Sequence, residues 1–344
     1  MATHHLTTRD ALPPGFLDCD ARDVVHLLPG PTLIHLPGRD QRPLFASVLV
    51  HGNEVTGFDA VRHVLRRNGE RMLPRALSLF VGNVAAAAAN VRTLPGQYDY
   101  NRVWPGTAFT SAPEARLMAE VVDAMRQRQP FASIDIHNNT GLNPHYACVS
   151  RLEPAYLHLA RLFSGVVVYF ERPLGVQSTA MSAICPAVTV ECGHSGTRDG
   201  VKHAAEFVEA CLHLSEFPEH APARHDVELL ETVAIVRVPA HLSMSFDGSD
   251  ADIRFREDID HLNFSAAPAG TVFGHVANPG VRLEILPGHN RGVLCEWFDY
   301  REGDIRLTRP AFPAMLTRDA AAIRLDCLCY LMERIPYGQR IRTA

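Results

Sequence analysis

His51 and Glu54 stand three residues apart in "HGNEVTG" (51–57), directly after the apolar run "LFASVLV" (44–50). In a helix or turn, side chains at that spacing lie on one face. A neutral imidazole and a carboxylate suit zinc. Gly52 lets the backbone turn tightly as it leaves the run. A capped helix start with a surface histidine would carry the same letters. His137 closes a second apolar run, in "DIHNNTG", and would add a third donor from another strand end. Two histidines, one glutamate and an open position make a catalytic zinc site. Asp135 lies two residues earlier on the same side of that strand. It would orient a ligand histidine or act only as a buried, hydrogen-bonded acid. Glu191 ends a third run, "AVTVE" (187–191). A carboxylate there is costly to bury without a partner or a task. Beside an activated water it would serve as general base and then protonate the leaving amine. A helix cap or an ion pair is the plainer alternative. Arg92, Asn101 and Arg102 fall in the loop "NVRTLPGQYDYNRVWPG" (90–106). They suit an anionic substrate, since arginine grips carboxylates with two hydrogen bonds, although surface arginines are common in such loops.

Elements that would position these groups can be read from periodicity. Continuous apolar runs predict buried strands at 44–50, 77–84, 131–137, 165–170 and 187–191. Helical spacing predicts helices at 57–68, 111–129, 153–164 and 199–217. Ser111 and Glu114 read as a capping box, with Pro113 tolerated in the first turn. Alternation of strands and helices to about residue 217 implies an α/β layer with a largely parallel sheet and helices on both faces. The Pro/Ala/His stretch at 218–225 then reads as a linker. Short runs broken by Gly, Pro and Asn follow ("ETVAIVRVP", "TVFGHV", "VRLEIL", "GVLCEWF"), which predicts a smaller β-rich domain. Residues 317–334 show apolar positions at i, i+3 and i+4 and predict a terminal helix capped by Thr317. The expected division is 1–217 and 218–344.

The whole composition narrows the function classes. The 344 residues suggest two domains, and a hydrophobic share of 47% is ordinary for a packed globule. A net charge of -5 offers no basic field for nucleic acid. The polar opening stretch does not read as a secretory signal, and no apolar run approaches a membrane span. Eight cysteines without a CxxC pair suggest reduced, mostly buried thiols in a cytoplasmic protein.

Six segments in order resemble the succinylglutamate desuccinylase/aspartoacylase family, relatives of the zinc carboxypeptidases. They are "HGNEVTG" (51–57), "GNVAAA" (82–87), Arg92, "DYNR" (99–102), "DIHN" (135–138) and "TVECG" (189–193), and "RPAFPAMLTRDA" (309–320) resembles the family's C-terminal region. The resemblance implies a carboxypeptidase-like α/β fold with an appended β domain near the site entrance. It implies one zinc on His51, Glu54 and His137, Glu191 as the catalytic carboxylate, and Arg92, Asn101 and Arg102 on the substrate, with Arg92 also able to polarise the scissile carbonyl. Departures fall on the substrate side: the stretch 92–99 is longer than in the aspartoacylase branch, and Tyr100 stands where the family often has Leu. The expected function is hydrolysis of an N-acyl amino acid, a small-molecule partner. The alternatives are a zinc carboxypeptidase acting on a peptide or cell-wall fragment, and a non-catalytic small-molecule binder. A homo-oligomer is compatible with Trp297 and Phe298, if they are exposed.

Overall fold

The computed structural model describes residues 5–289 and 296–336. Its elements run β1 (Thr7–Arg9), β2 (Thr32–Leu36), β3 (Gly38–Val48), α1 (Thr56–Asn68), β4 (Leu73–Val81), α2 (Val84–Ala89), α3 (Pro113–Arg128) and β5 (Ala132–His137). There follow β6 (Tyr146–Val149), α4 (Pro154–Phe163), β7 (Val166–Tyr169), α5 (Gln177–Met181), β8 (Ala187–Glu191) and α6 (Arg198–His213). The rest is β9 (Glu228–Arg237), β10 (Met244–Ser245), β11 (Ile253–Phe255), β12 (Val272–Val276), β13 (Glu284–Pro287), β14 (Phe298–Asp299), β15 (Asp304–Leu307), β16 (Phe312–Ala314), α7 (Ala320–Leu325) and β17 (Cys329–Arg334).

A twelve-stranded mixed sheet forms the backbone of the molecule, in the order β1-β2-β4-β3-β5-β8-β6-β7-β9-β17-β16, with β13 also paired to β9. Its centre, β4-β3-β5-β8, is parallel. β6 then runs antiparallel to β8 and parallel to β7. The sheet continues past the linker, because β7 pairs with β9 and β17 lies antiparallel to β9. A second sheet, β10-β11-β12-β15-β14, gives the C-terminal part its own β-rich layer.

Central strands are buried on both faces, which is why they read as unbroken apolar runs rather than alternations. α1 turns Phe58, Val61, Val64 and Leu65 inward, as its spacing predicts, and packs beside α6. Burying side chains of this kind stabilises by roughly 1.5–3 kcal/mol each. Trp297 and Phe298 are buried in the second core, so neither is available as an exposed contact.

Several local expectations need correction. Residues 317–334 do not form one helix: α7 ends at Leu325, and 329–334 form strand β17. The run "CLCYLM" is apolar at nearly every position, so it satisfies a helical period and a strand equally. Pairing with β9 decides in favour of the strand. Asp319, not Thr317, caps α7, accepting from the amides of Ala321 and Ala322. Ser111 caps nothing, because α3 starts one residue later, with Ala112 at its N-cap and Pro113 opening it. α6 ends at His213, and Phe217 instead stacks on Phe131 at 4.9 Å. Strand β3 ends at Val48, and most of the run 292–298 lies outside the described residues.

Candidate active site

The strand ends deliver the chemistry. After Val48 the chain turns at Leu49, which takes φ 52°, a left-handed conformation uncommon for leucine. This turn swings His51 across the carboxyl edge of the sheet, where parallel α/β sheets place their ligands. Gly52 is needed for closeness rather than for an unusual dihedral angle. A Cβ there would lie 2.2 Å from the carbonyl carbon of Ala86 and 2.3 Å from the amide nitrogen of Ala87. The Gly52 amide donates to the Arg92 carbonyl at 3.1 Å, so one tight contact ties the His51 turn to α2 and the loop after it. Asn83 caps α2 through the Ala86 amide. On the far side of β3, parallel register sets His137 of β5 opposite Glu191 of β8.

His51, Glu54 and His137 converge. Their candidate donor atoms lie within 4.8 Å of one another, and all three residues are buried. His51 Nδ1 is 2.7 Å from Glu54 Oε1, and His137 Nδ1 is 2.8 Å from Glu54 Oε2. The opposite ring nitrogens also face carboxylates: His51 Nε2 is 3.0 Å from Asp99 Oδ1, and His137 Nε2 is 2.8 Å from Asp135 Oδ2. Ser47 donates to the other Asp135 oxygen and holds that carboxylate in place. With Nε2–H donating outward to Asp99 and Asp135, each ring keeps its Nδ1 lone pair turned inward, the arrangement that orients metal-bound histidines. At 2.7 and 2.8 Å each Nδ1–Glu54 contact is satisfied by a proton on the ring or by a metal cation shared between the donors. The N, O, N donor set is one that zinc accepts, so the residues fit the metal.

Charge in this cluster follows from the same contacts. Burial opposes the charged form of Glu54, but His51 and His137 outweigh it and hold the carboxyl well below its ordinary range. Burial likewise opposes ionisation of Asp99, and Arg92 and His51 overcome it. Glu191 behaves differently. Burial pushes it up to about 8 and the nearby Glu54 adds to the rise, with His137 pulling the other way. Its one hydrogen bond here is long, 3.4 Å from Asn139 Nδ2 to Oε2. A weakly held carboxyl of that kind is available for proton transfer.

All seven residues singled out from the sequence line one cavity. Asn53 and Asn138, next to the candidate ligands, make local hydrogen bonds. The Asn138 amide donates to Glu54 Oε2 and its side chain bridges Thr56 and Gly193, while the Asn53 carbonyl accepts from Ser195. Arg92 does not stand open as a clamp: its Nε and Nη2 both hold Asp99 Oδ2, at 3.1 and 2.9 Å, with Nη1 3.8 Å from Glu54. Arg102 Nη2 donates to Asp326 Oδ1 at 2.6 Å. Asn101 accepts from the Gln177 amide through Oδ1, and its Nδ2 is 3.5 Å from His137 Nε2, too far to compete with Asp135.

Sequence reasoning missed Asp99, Asn139, Arg172, Tyr146, Tyr330 and Asp326. Asp99 was in view, three residues before Arg102, as the one acid of the "DYNR" motif. Asp326 carries no motif, but an acid set against the apolar run "CLCYLM" was a signal of the kind that picked out Glu191.

The catalytic-domain model of the succinylglutamate desuccinylase/aspartoacylase family matches residues 44–215, half of the chain. The chain belongs to this family. Solved structures of similar fold cover most of this desuccinylase/aspartoacylase relative. The succinylglutamate desuccinylase of Chromobacterium violaceum superposes with a TM-score of 0.54 at 17% identity, over 88% of this chain and 86% of that one. The succinylglutamate desuccinylase/aspartoacylase of Rhodobacter sphaeroides gives 0.57 at 14% identity, over 88% of each chain. Murine aminoacylase 3 gives 0.55 at 14% identity, over 86% of this chain and 96% of that one. At these identities the likeness is one of fold. Comparison with curated proteins gave no match. Among the described residues no helix is long and apolar enough to cross a membrane.

Proposed function

We propose that this chain is a zinc-dependent amidohydrolase that removes the acyl group from an N-acyl amino acid, with one zinc on His51, Glu54 and His137. The observation that carries the reading is the meeting of that donor set with Glu191 in a single cavity. Deacylase names among structures of the same fold support it, among them aminoacylase 3 and the desuccinylases. A bound zinc would supply Lewis acidity toward the acyl carbonyl and the attacking water.

The remaining steps belong to the chain. Glu191 takes a proton from the water as the new C–O bond forms. It returns that proton to the nitrogen as the C–N bond breaks, leaving a free amine and a carboxylic acid whose remaining proton passes to the amine or to water. Arg92, locked by Asp99, presents a fixed positive charge beside the cluster and stabilises the developing oxyanion. Asn101 and Arg102 line the substrate end of the cavity. Asp99 and Asp135 hold the two rings in the productive tautomer.

The peptidase alternative wants an open groove. Met315, Asp326, Tyr330 and Met332 of the C-terminal part line this cavity and favour a small substrate. The reduced thiols of the described residues fit a cytoplasmic setting. The test is amine release from acetyl, succinyl and formyl derivatives of acidic, basic and apolar amino acids, with and without a chelator. Chelator-sensitive release from at least one class is expected. No release from any, by protein shown to hold one zinc per chain, would sink the reading.

A further inference from the structure

Three arginines line the cavity, Arg92, Arg102 and Arg172. Two of them already face an internal carboxylate. Arg92 holds Asp99. Arg102 holds Asp326 at 2.6 Å, and the other Asp326 oxygen lies 3.9 Å from Arg92 Nη2. Asp326 is therefore set between the two guanidinium groups that would otherwise receive a substrate anion. It reaches them from the junction of α7 and β17, more than 220 residues along the chain from Arg102. Burial disfavours its charge, but Arg102 and Arg92 keep it ionised. The side chains of Arg92, Arg102 and Asp326 are 17%, 19% and 18% exposed, so all three can meet a ligand.

Beyond this pair, part of the cavity wall is apolar, interrupted by Arg172, Thr189 and Thr232. Val168, Phe170, Val176, Ala314 and Met332 face it, and Val168, Ala314 and Met332 belong to one packed cluster. A carboxylate brought here would meet Asp326 on the same guanidinium pair, and like charges at such closeness are strongly disfavoured. An apolar group would find surface that already excludes water.

We propose that Asp326 is a specificity-determining residue: it fills the Arg102–Arg92 anion site with the protein's own carboxylate, so the cavity takes N-acyl amino acids with one carboxylate and an apolar remainder, and rejects those with two. This rests on the deacylase reading. An N-acyl amino acid always brings its α-carboxylate, which on this proposal lies away from the Arg102–Arg92 pair; the selection acts on a second one, in the side chain or the acyl group, brought against that pair.

The test compares zinc-loaded wild type with Asp326→Asn and Asp326→Glu on N-acetyl-leucine and N-acetyl-aspartate. Turnover is read as kcat/KM, and binding is read separately by calorimetry in a Glu191→Gln background. Wild type should favour the leucine derivative by about tenfold or more. Asp326→Asn should narrow that ratio by about tenfold, chiefly by lowering KM for the aspartate derivative, and Asp326→Glu should keep the wild-type ratio. A residue that only props up Arg102 would lower both substrates together and leave the ratio alone. An unchanged ratio in Asp326→Asn, or a wild type that prefers the dicarboxylic substrate, overturns the assignment. Should wild type turn over neither compound, the deacylase reading suffers and the binding ratios still decide: the same narrowing upholds the role of Asp326, and equal ratios or no binding of either compound overturn it. Because the wild-type ratio is itself a prediction, a poorly folding variant does not shelter the idea.

Discussion

The two ends of the cavity are built in different ways. At one end, four side chains project from the termini of buried strands or the turns just beyond them, within residues 51–191. Each is fixed by register, as His137 opposite Glu191 is, or by a partner carboxylate, as both imidazoles are. At the other end the wall is gathered from short pieces: the strand ends of β7, β16 and β17, and Asp326 at the junction after a six-residue helix. Reacting groups must be held to within fractions of an ångström, which strand ends backed by a rigid core can do. Selecting groups need only present the right charge and shape, and loosely framed segments suffice. Reaction type and substrate choice are thus separable in this fold, and each can be broken without the other.

The largest effect should come from the reacting end. Glu191→Gln keeps size and hydrogen bonding but removes proton transfer, and should lower kcat by about 10²–10⁴-fold. Zinc content, measured by atomic absorption, should be unchanged. Near-native kcat in that variant would dismiss Glu191 as the base and leave the contrast between the two ends without a chemical side.

A middle effect is expected one step back from the ligands. Asp135→Asn replaces an acceptor that fixes the His137 ring and weakens its hold on Nε2–H. Zinc affinity should fall by about 10–100-fold in a chelator competition. The leucine-to-aspartate preference should stay as in wild type. A shifted preference would mean that the two ends are coupled.

The smallest effect lies at the selecting end. Asp319→Ala removes the two-bond cap of α7, the helix that leads into Asp326, and should cost about 1 kcal/mol in urea unfolding. It should also narrow the substrate preference slightly, in the direction of Asp326→Asn, with zinc affinity intact. Ser111→Ala, at a position that caps nothing, should change stability by less than about 0.5 kcal/mol.

The same contrast explains what the sequence revealed. Buried parallel strands are legible because apolar matter on both faces writes an unbroken run, and a polar residue that ends such a run stands out. His51, His137 and Glu191 were visible for that reason, and β3, β5 and β8 with them. The three-residue edge strand β1 and the four-residue β6 carry too little pattern to be seen. β17 was mistaken for a helix because "CLCYLM" has no polar positions with which to declare a period. Asp326 was hidden behind that error: its partner Arg102 is fixed by topology, and nothing local in the sequence links the two. The arginines themselves were found, but an expectation of open clamps could not foresee that the protein supplies its own counterions.

The place of β17 has a consequence for the order in which a working molecule comes into being. Residues 51–191 leave the ribosome first and already contain every group that reacts, whereas Asp326 and β17 follow 135 residues after Glu191. At ordinary rates of elongation that gap lasts roughly 7–27 seconds. In its later part, once β9 has been made, the edge of β9 that will receive β17 stands bare, open to pairing with another chain. Closing that edge and setting the counterion at Arg102 happen in one stroke, so the nascent chain covers an open strand and gains the proposed selecting group together.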